Sequence, residues 1–288
     1  MLDHHALLAY EIPSVTQHLT PYDTVFYALS CGLGADPVDQ AQLDYVDFHR
    51  ALRVLPSMPV VMCYDLDLLT RPEFGIDAVK IVHGEEHVAL HAELPVRATL
   101  TGTARITQLV DKGPGRGALL VLERLITDTS NGILLATVTS TIFLRGDGGF
   151  SGDIGPVLPE ISAVSVSPVP LGPPDVVIEL PTRPEQALYY RLNGDENPLH
   201  ADPEFAARAG FPRPILHGLC TFGVVTHALL RGLGQYQPGA LADIGCRFSS
   251  PVFPGESITT EIWANGAFRA RVAARDVVVV SNGFARFA

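Results

Sequence analysis

The sequence predicts an α+β chain built from one unit used twice, and three observations predict it. An apolar helical segment, Phe26–Ser30, has a counterpart at Tyr189–Asn193. Leu94-Pro95-Val96 opens a β-rich stretch and Ser250-Pro251-Val252 opens another; each runs through alternating strands to an Asn-Gly pair, Asn131-Gly132 or Asn282-Gly283. Asn-Gly between apolar runs signals a hairpin, because both turn positions need positive φ. Between the two series lies Phe150–Pro184, too dense in proline for a helix or a central strand. The same features in the same order twice are what an internal duplication leaves. The chain therefore divides into 1–150, a linker over 151–182, and 183–288.

The elements follow in order. Alternation and β-branched content mark strands at Val79–Leu90, Ala98–Val110, Ala118–Thr127 and Ile133–Leu144. The second half repeats them at Ala240–Phe248, Ser257–Trp263, Phe268–Ala274 and Val277–Phe287. The clearest long helix is Leu219–Arg231, with Leu219, Phe222, Val225 and Leu229 near helical spacing and Gly232 and Gly234 to stop it. A helix lying across a curved antiparallel sheet, made twice, is the simplest architecture that uses all of them.

Composition bounds the function. In 288 residues, 47% are hydrophobic and 18% charged, enough apolar material for a real core. Apolar runs such as Leu119–Leu122 and Val277–Val280 are strand-sized, so no transmembrane helix is expected. A net charge of −11 argues against nucleic acid, which needs a basic face. Cys31, Cys63, Cys220 and Cys246 are far apart and form no paired motif, as in a reduced intracellular protein. Met1-Leu-Asp-His-His lacks the features of a signal peptide and Arg286-Phe287-Ala288 is not a peroxisomal tail, so a cytoplasmic protein is expected.

The segment richest in chemistry runs from Tyr190 to Pro203. Gly194 and Pro198 break regular structure around Asp195 and Asn197, so one tight loop presents a carboxylate, an amide and the His200 imidazole. Asp202 caps a short helix, with Pro203 at its first position. An Asp and a His held together can divide general acid and base duties. Gly218, just ahead of the long helix, would aim its N–H outward from a positive helix end and serve as an oxyanion hole.

Tyr190–His200, Asp202-Pro203 and Pro214–Gly223 together resemble the hydratase 2 motif of the MaoC-like dehydratase family. The segment most resembles the hydratase 2 unit found in type 2 peroxisomal multifunctional enzymes and in stand-alone bacterial relatives. The likeness extends to the first half through Val82-His83-Gly84-Glu85, Val110-Asp111-Lys112-Gly113 and Phe143–Phe150, and so covers nearly the whole chain. It implies a double hot dog fold, each unit a long helix wrapped by an antiparallel sheet. It also implies an (R)-specific 2-enoyl-CoA hydratase that turns a trans-2-enoyl-CoA into a (3R)-hydroxyacyl-CoA. By the same likeness Asp195 and His200 are the acid/base pair, Asn197 the supporting amide and Gly218 the oxyanion donor. His83, Gly84, Glu85, Lys112, Tyr190, His217 and Phe222 fall in matching segments and are expected at the substrate or CoA. No metal or redox cofactor is implied, the partner is an acyl-CoA, and a homodimer is expected.

The duplication adds a further expectation. Aligning Tyr27–Ser30 with Tyr190–Asn193 sets Gly32 against Asp195 and Gly34 against Asn197, with no His in the His200 position. The first half has lost the acid/base loop, which leaves one active site per chain; the family resemblance implies that this half holds the acyl tail. The family can carry a Glu after the first helix; here Asp47 stands nearby. His83, His87 and His91 would share one strand face, as a substrate edge or surface rather than a metal stripe. Lys112–Gly117 reads as a hairpin loop, not a nucleotide loop. Arg208, Arg213, Arg247 and Lys112 are candidate partners of the CoA phosphates. An acyl-CoA thioesterase of the same fold and a non-catalytic acyl-CoA-binding subunit are the competing readings.

Overall fold

The structure, a computed structural model, describes residues 2–65, 67–152, 155–156 and 169–287. Ten strands form one antiparallel sheet that runs through both halves. In chain order they are β1 (Val15–Leu19), β2 (Ile81–Leu90), β3 (Ala98–Asp111), β4 (Ala118–Asp128), β5 (Leu134–Leu144), β6 (Val176–Pro181), β7 (Leu241–Phe248), β8 (Ser257–Ile262), β9 (Ala267–Val272) and β10 (Val277–Phe287). Their spatial order is β1-β3-β4-β5-β2-β7-β10-β9-β8-β6, with Gly155–Pro156 as a short addition on β3. Read from its two ends the order is the same five-strand pattern twice. The halves meet where β2 pairs with β7, Glu85 opposite Arg247 through Ala89 opposite Asp243.

The helices follow the same duplication. α1 (Pro21–Ser30) starts from a capping box in which Thr20 and Asp23 bond each other's backbone, with proline at its first position. α2 (Gln186–Tyr190) is its counterpart, and the Tyr27 and Tyr190 rings lie 6.2 Å apart between them. α3 (Pro203–Arg208) is capped by Asp202 and ends before Gly210, at φ 89°. α4 (Gly218–Gly232) is the long helix, buried from Leu219 to Leu230. At about 1.5–3 kcal/mol per large apolar side chain buried, packing and not propensity holds it. The main core joins α4 residues such as Phe222 and Val225 to Tyr27, Val88, Val138 and Ile244, so the two halves share it.

Four features differ from the sequence expectation. No long helix lies in the first half among the described residues. The position that α4 occupies in the second half holds a turn at Met58–Val60 and the short helix Asp67–Thr70. Pro59 has no N–H to donate and Cys63 sits at φ 48°, so a helix cannot run through. Asn131-Gly132 does connect β4 to β5, whereas Asn282-Gly283 lies inside β10 as a bulge: Asn282 has φ 51° and the pairing slips between Ser281 and Phe284. The β9–β10 connection instead uses Ala273–Arg275, closed by Asp276 at φ 51°. Val176–Pro181, read as linker, is the edge strand β6 on β8; an edge tolerates the proline that a central strand would not. Finally, a bulge between His83 and Glu85 turns His83 away from the face of His87, and His91 lies beyond the end of β2. Linker positions 153–154 and 157–168 lie outside the described residues.

Candidate active site

The loop that carries Asp195 and His200 is built by local hydrogen bonds. After α2, Gly194 takes φ 113° and turns the chain sharply. The Asp195 carboxylate accepts the Asn197 N–H at 3.2 Å, and the Asn197 side-chain oxygen accepts the Leu199 N–H at 3.0 Å. Asn197 thereby starts the single turn Pro198–His200 that carries the imidazole. Asp195 and His200 are both buried, at 8% exposure, yet both line the same cavity.

The tautomer of His200 follows from its partner. Its Nδ1 lies 2.8 Å from the Ile215 carbonyl oxygen, which can only accept, so Nδ1 carries the proton and Nε2 is left as a base. Burial pushes the His200 pKa down, partly opposed by the Asp195 charge. His217 stacks on His200 with ring centroids 3.7 Å apart and donates from Nε2 to the Asp195 carbonyl at 3.1 Å. Burial and the neighbouring His200 hold His217 well below the usual range. It sits beneath the loop and fixes the Asp195 backbone. Asp195, His200 and His217 are the sole metal-like cluster among the described residues. The stacked rings, only 26° from parallel, send their in-plane lone pairs side by side rather than to one point.

Gly218 opens α4 on the cavity wall, where its N–H belongs to the unpaired first turn. A Cβ there would meet only the Phe248 ring at 3.5 Å, so the protein itself leaves room. The positive end of α4 suits an oxygen that gains charge.

The cavity holds about 820 Å³. Asp195, Asn197, His200 and Gly218 all line it, and of the expected substrate contacts His83 does as well. The others lie elsewhere. Tyr190 and Phe222 are wholly buried in the core and His217 is behind the loop. Gly84 forms the β2 bulge, and Glu85 pairs with Arg247 at 2.7 Å across the β2–β7 junction. Lys112 is in the β3–β4 hairpin, 5.2 Å above the Phe143 ring. Arg208 and Arg213 lie over Phe205 and Phe253. Asp47 accepts the His49 N–H and is not on the cavity. Unforeseen wall residues are Tyr64, Leu69, Ile142 and Arg145 from the first half. Arg145 ends β5 as an ordinary-looking strand-end cation; only the tertiary fold brings it beside Phe211 on the cavity wall.

This geometry has relatives. The MFE-2 hydratase 2 N-terminal domain profile matches residues 18–146, and the MaoC like domain profile matches 166–284. The chain is 40% identical over 271 residues to 3-hydroxyacyl-thioester dehydratase Y of Mycobacterium tuberculosis, covering 89% of this chain and 87% of the relative. It is 38% identical over 292 residues to a peroxisomal enoyl-CoA hydratase 2 of Arabidopsis thaliana, covering 96% and 93%. The crystal structure of a MaoC-like dehydratase from Phytophthora capsici superposes with a TM-score of 0.83 at 31% identity, over 100% of this chain and 99% of that one. The fold is thus the double hot dog that the sequence motifs imply. With the two halves matched in order over residues 18–146 and 166–284, the chain belongs to the MaoC-like dehydratase family, in the branch that carries the hydratase 2 N-terminal domain.

Proposed function

We infer that this protein is an (R)-specific 2-enoyl-CoA hydratase, a hydro-lyase that also runs in reverse as a 3-hydroxyacyl-CoA dehydratase. The observation that carries the reading is the convergence of three groups on one cavity: the Asp195 carboxylate, the bare Nε2 of His200 and the N-terminus of α4 at Gly218. Hydration of an enoyl thioester needs what these supply. Water must lose a proton as its oxygen bonds to C3, and C2 must gain one. The thioester oxygen carries negative charge in between, which the Gly218 N–H stabilises. Asp195 and His200 hold the water and move the two protons, and Asn197 keeps the loop in shape. No metal or redox cofactor enters this scheme. Tyr64, Leu69, His83 and Ile142 give the first half its place along the acyl tail.

The same reading makes the enzyme a cytoplasmic homodimer acting in fatty-acid β-oxidation. Among the described residues no helix is long and apolar enough to cross a membrane. Leu29, Leu188 and Leu192 stay exposed on and beside the paired helices α1 and α2, which supports an interface there. The deciding assay follows enoyl-thioester ultraviolet absorbance with trans-2-enoyl-CoAs of graded length, with free thiol measured in parallel. Loss of absorbance without thiol release, giving (3R) product on a chiral column, is the expected result. Thiol release would make the protein a thioesterase, and silence on both channels would leave an acyl-CoA-binding subunit.

A further inference from the structure

Beyond the catalytic loop, the strongest unexplained feature is a second, small cavity in the first half. It holds about 50 Å³ and shares Tyr64, Asp65, His83 and Ile142 with the main cavity, so the two adjoin. Most of its wall is apolar, including Val15, Leu122 and Val138, yet Arg124 lines it too. Arg124 projects from β4, between Ala104 and Val138 of the neighbouring strands. Its Nη2 donates to the carbonyls of Pro59 and Val60 at 3.1 and 2.9 Å, and its face lies 5.2 Å from the centre of the Tyr64 ring. Its Nε–H is sealed from solvent and has no acceptor among the described residues. Arg124 as a whole is only partly buried, so the rest of its side chain offers accessible surface there.

Charge selects what can bind there. Glu86, 1% exposed, faces the same side; its Oε2 accepts from His83 Nε2 at 2.6 Å, while Oε1 has no partner among the described residues. The Glu86 carboxylate already acts electrostatically on Arg124. A second anion would therefore add uncompensated negative charge in a low-dielectric pocket. A neutral oxygen would not. By the roughly 10–15 Å³ that one water centre needs, the volume admits a chain end of a few heavy atoms. Tyr64 also feels the field of Asp195, which sets the small cavity close to the reacting end.

We propose that Arg124 forms a distal subsite for a neutral oxygen, a hydroxyl or keto group, on the acyl chain, so that the preferred substrates are oxygenated acyl-CoAs rather than plain hydrocarbon ones. The proposal rests on the hydratase reading for its substrate, and its test is independent of turnover. Dissociation constants of saturated acyl-CoAs, which cannot be hydrated, are measured by calorimetry. Chains of matched, graded length end in methyl, hydroxyl or carboxylate. At the length that reaches the small cavity, the hydroxyl chain should bind about tenfold tighter than the methyl chain, as one hydrogen bond to a charged group provides. The carboxylate chain should bind more weakly than the hydroxyl chain. In Arg124→Met the hydroxyl-to-methyl ratio should fall to about one, read within that variant so that a general loss of affinity cancels. Equal affinities for hydroxyl and methyl at every length, a preference for carboxylate, or a ratio that survives Arg124→Met would each overturn the subsite. If Arg124→Met does not fold, the wild-type series alone decides. Crotonyl-CoA hydration, run alongside, tests the activity separately: a hydrated crotonyl-CoA with no hydroxyl preference removes the subsite and leaves the enzyme.

Discussion

The two halves carry the same five-strand pattern and line the cavity with different elements. In the second half, α4 is continuous, its N-terminus meets the cavity at Gly218, and the loop after α2 presents Asp195 and His200. In the first half the position of that helix is broken by Pro59 and by Cys63 in the left-handed region, and the loop after α1 carries Gly32 where Asp195 would be. Around the break, Tyr64 and Leu69 line the cavity while also packing on the core. The lesson is that a duplicated unit can keep its sheet while one copy gives up its helix and its reactive groups to make room. The sheet is fixed by long ladders of backbone bonds and shared apolar packing, whereas the helix and the loop rest on a few local signals.

The comparison breaks most sharply at the loops. Asp195→Asn and His200→Gln should each lower kcat for crotonyl-CoA by on the order of a hundredfold or more, with unchanged far-ultraviolet circular dichroism. Gly32→Asn, at the paired position of the first half, should leave turnover within about twofold, since asparagine tolerates the φ of 87° there. A large loss at Gly32 would show that the backbone of the first-half loop bears on turnover, against this division of labour between the halves.

A smaller effect tests the helix of the second half. His227 on α4 is buried, its Nε2 lies 3.0 Å from the Tyr236 hydroxyl, and burial lowers its pKa to about 4. The unfolded chain takes up that proton near the usual 6.5. Stability present above pH 6.5 should therefore drain away as the pH falls toward 4, by about 3 kcal/mol at the most from this residue. His200 and His217 act in the same direction. Urea midpoints between pH 7.5 and 4.5 should fall, and His227→Gln should flatten part of the slope. A midpoint indifferent to pH would show that the buried imidazoles are not held neutral.

Contact between the halves comes next in size. Gly223 on α4 faces the chain just after α1, where an added Cβ would lie 2.3 Å from the Cys31 Sγ. Gly223→Ala should cost about 1–3 kcal/mol by overpacking, seen as a lower urea midpoint. The smallest effect belongs to the outer face of the β2–β7 junction. Arg247→Ala removes a half-exposed ion pair with Glu85 and should cost no more than about 1 kcal/mol. A larger loss would mean that this pair, and not the shared core, holds the halves together.

The sequence by itself determined the strands, the duplication and the reactive loop. Alternation with a period of two is a local signal, so eight strands fall within a residue or two of their expected ends. Gly194, Asn197-Pro198 and Asp202-Pro203 are equally local: each encodes its turn or cap through its own backbone preference, and they place Asp195 and His200 on the cavity. The edge strand β6 was hidden because Pro181 and the prolines just before the strand speak locally against a sheet, and only its partner β8 makes it one. The bulge at Asn282-Gly283 has the local signature of a hairpin and depends on β7 and β9 for its different outcome. Much of the rest of the cavity wall was decided by tertiary structure alone. Tyr64, Arg124 and Arg145 carry no mark in the sequence, and Tyr190, His217 and Phe222 carry a motif yet lie in the core or behind the loop. A motif records which residues travel together along the chain. Which side of a helix or strand meets empty space depends on everything packed against the other side.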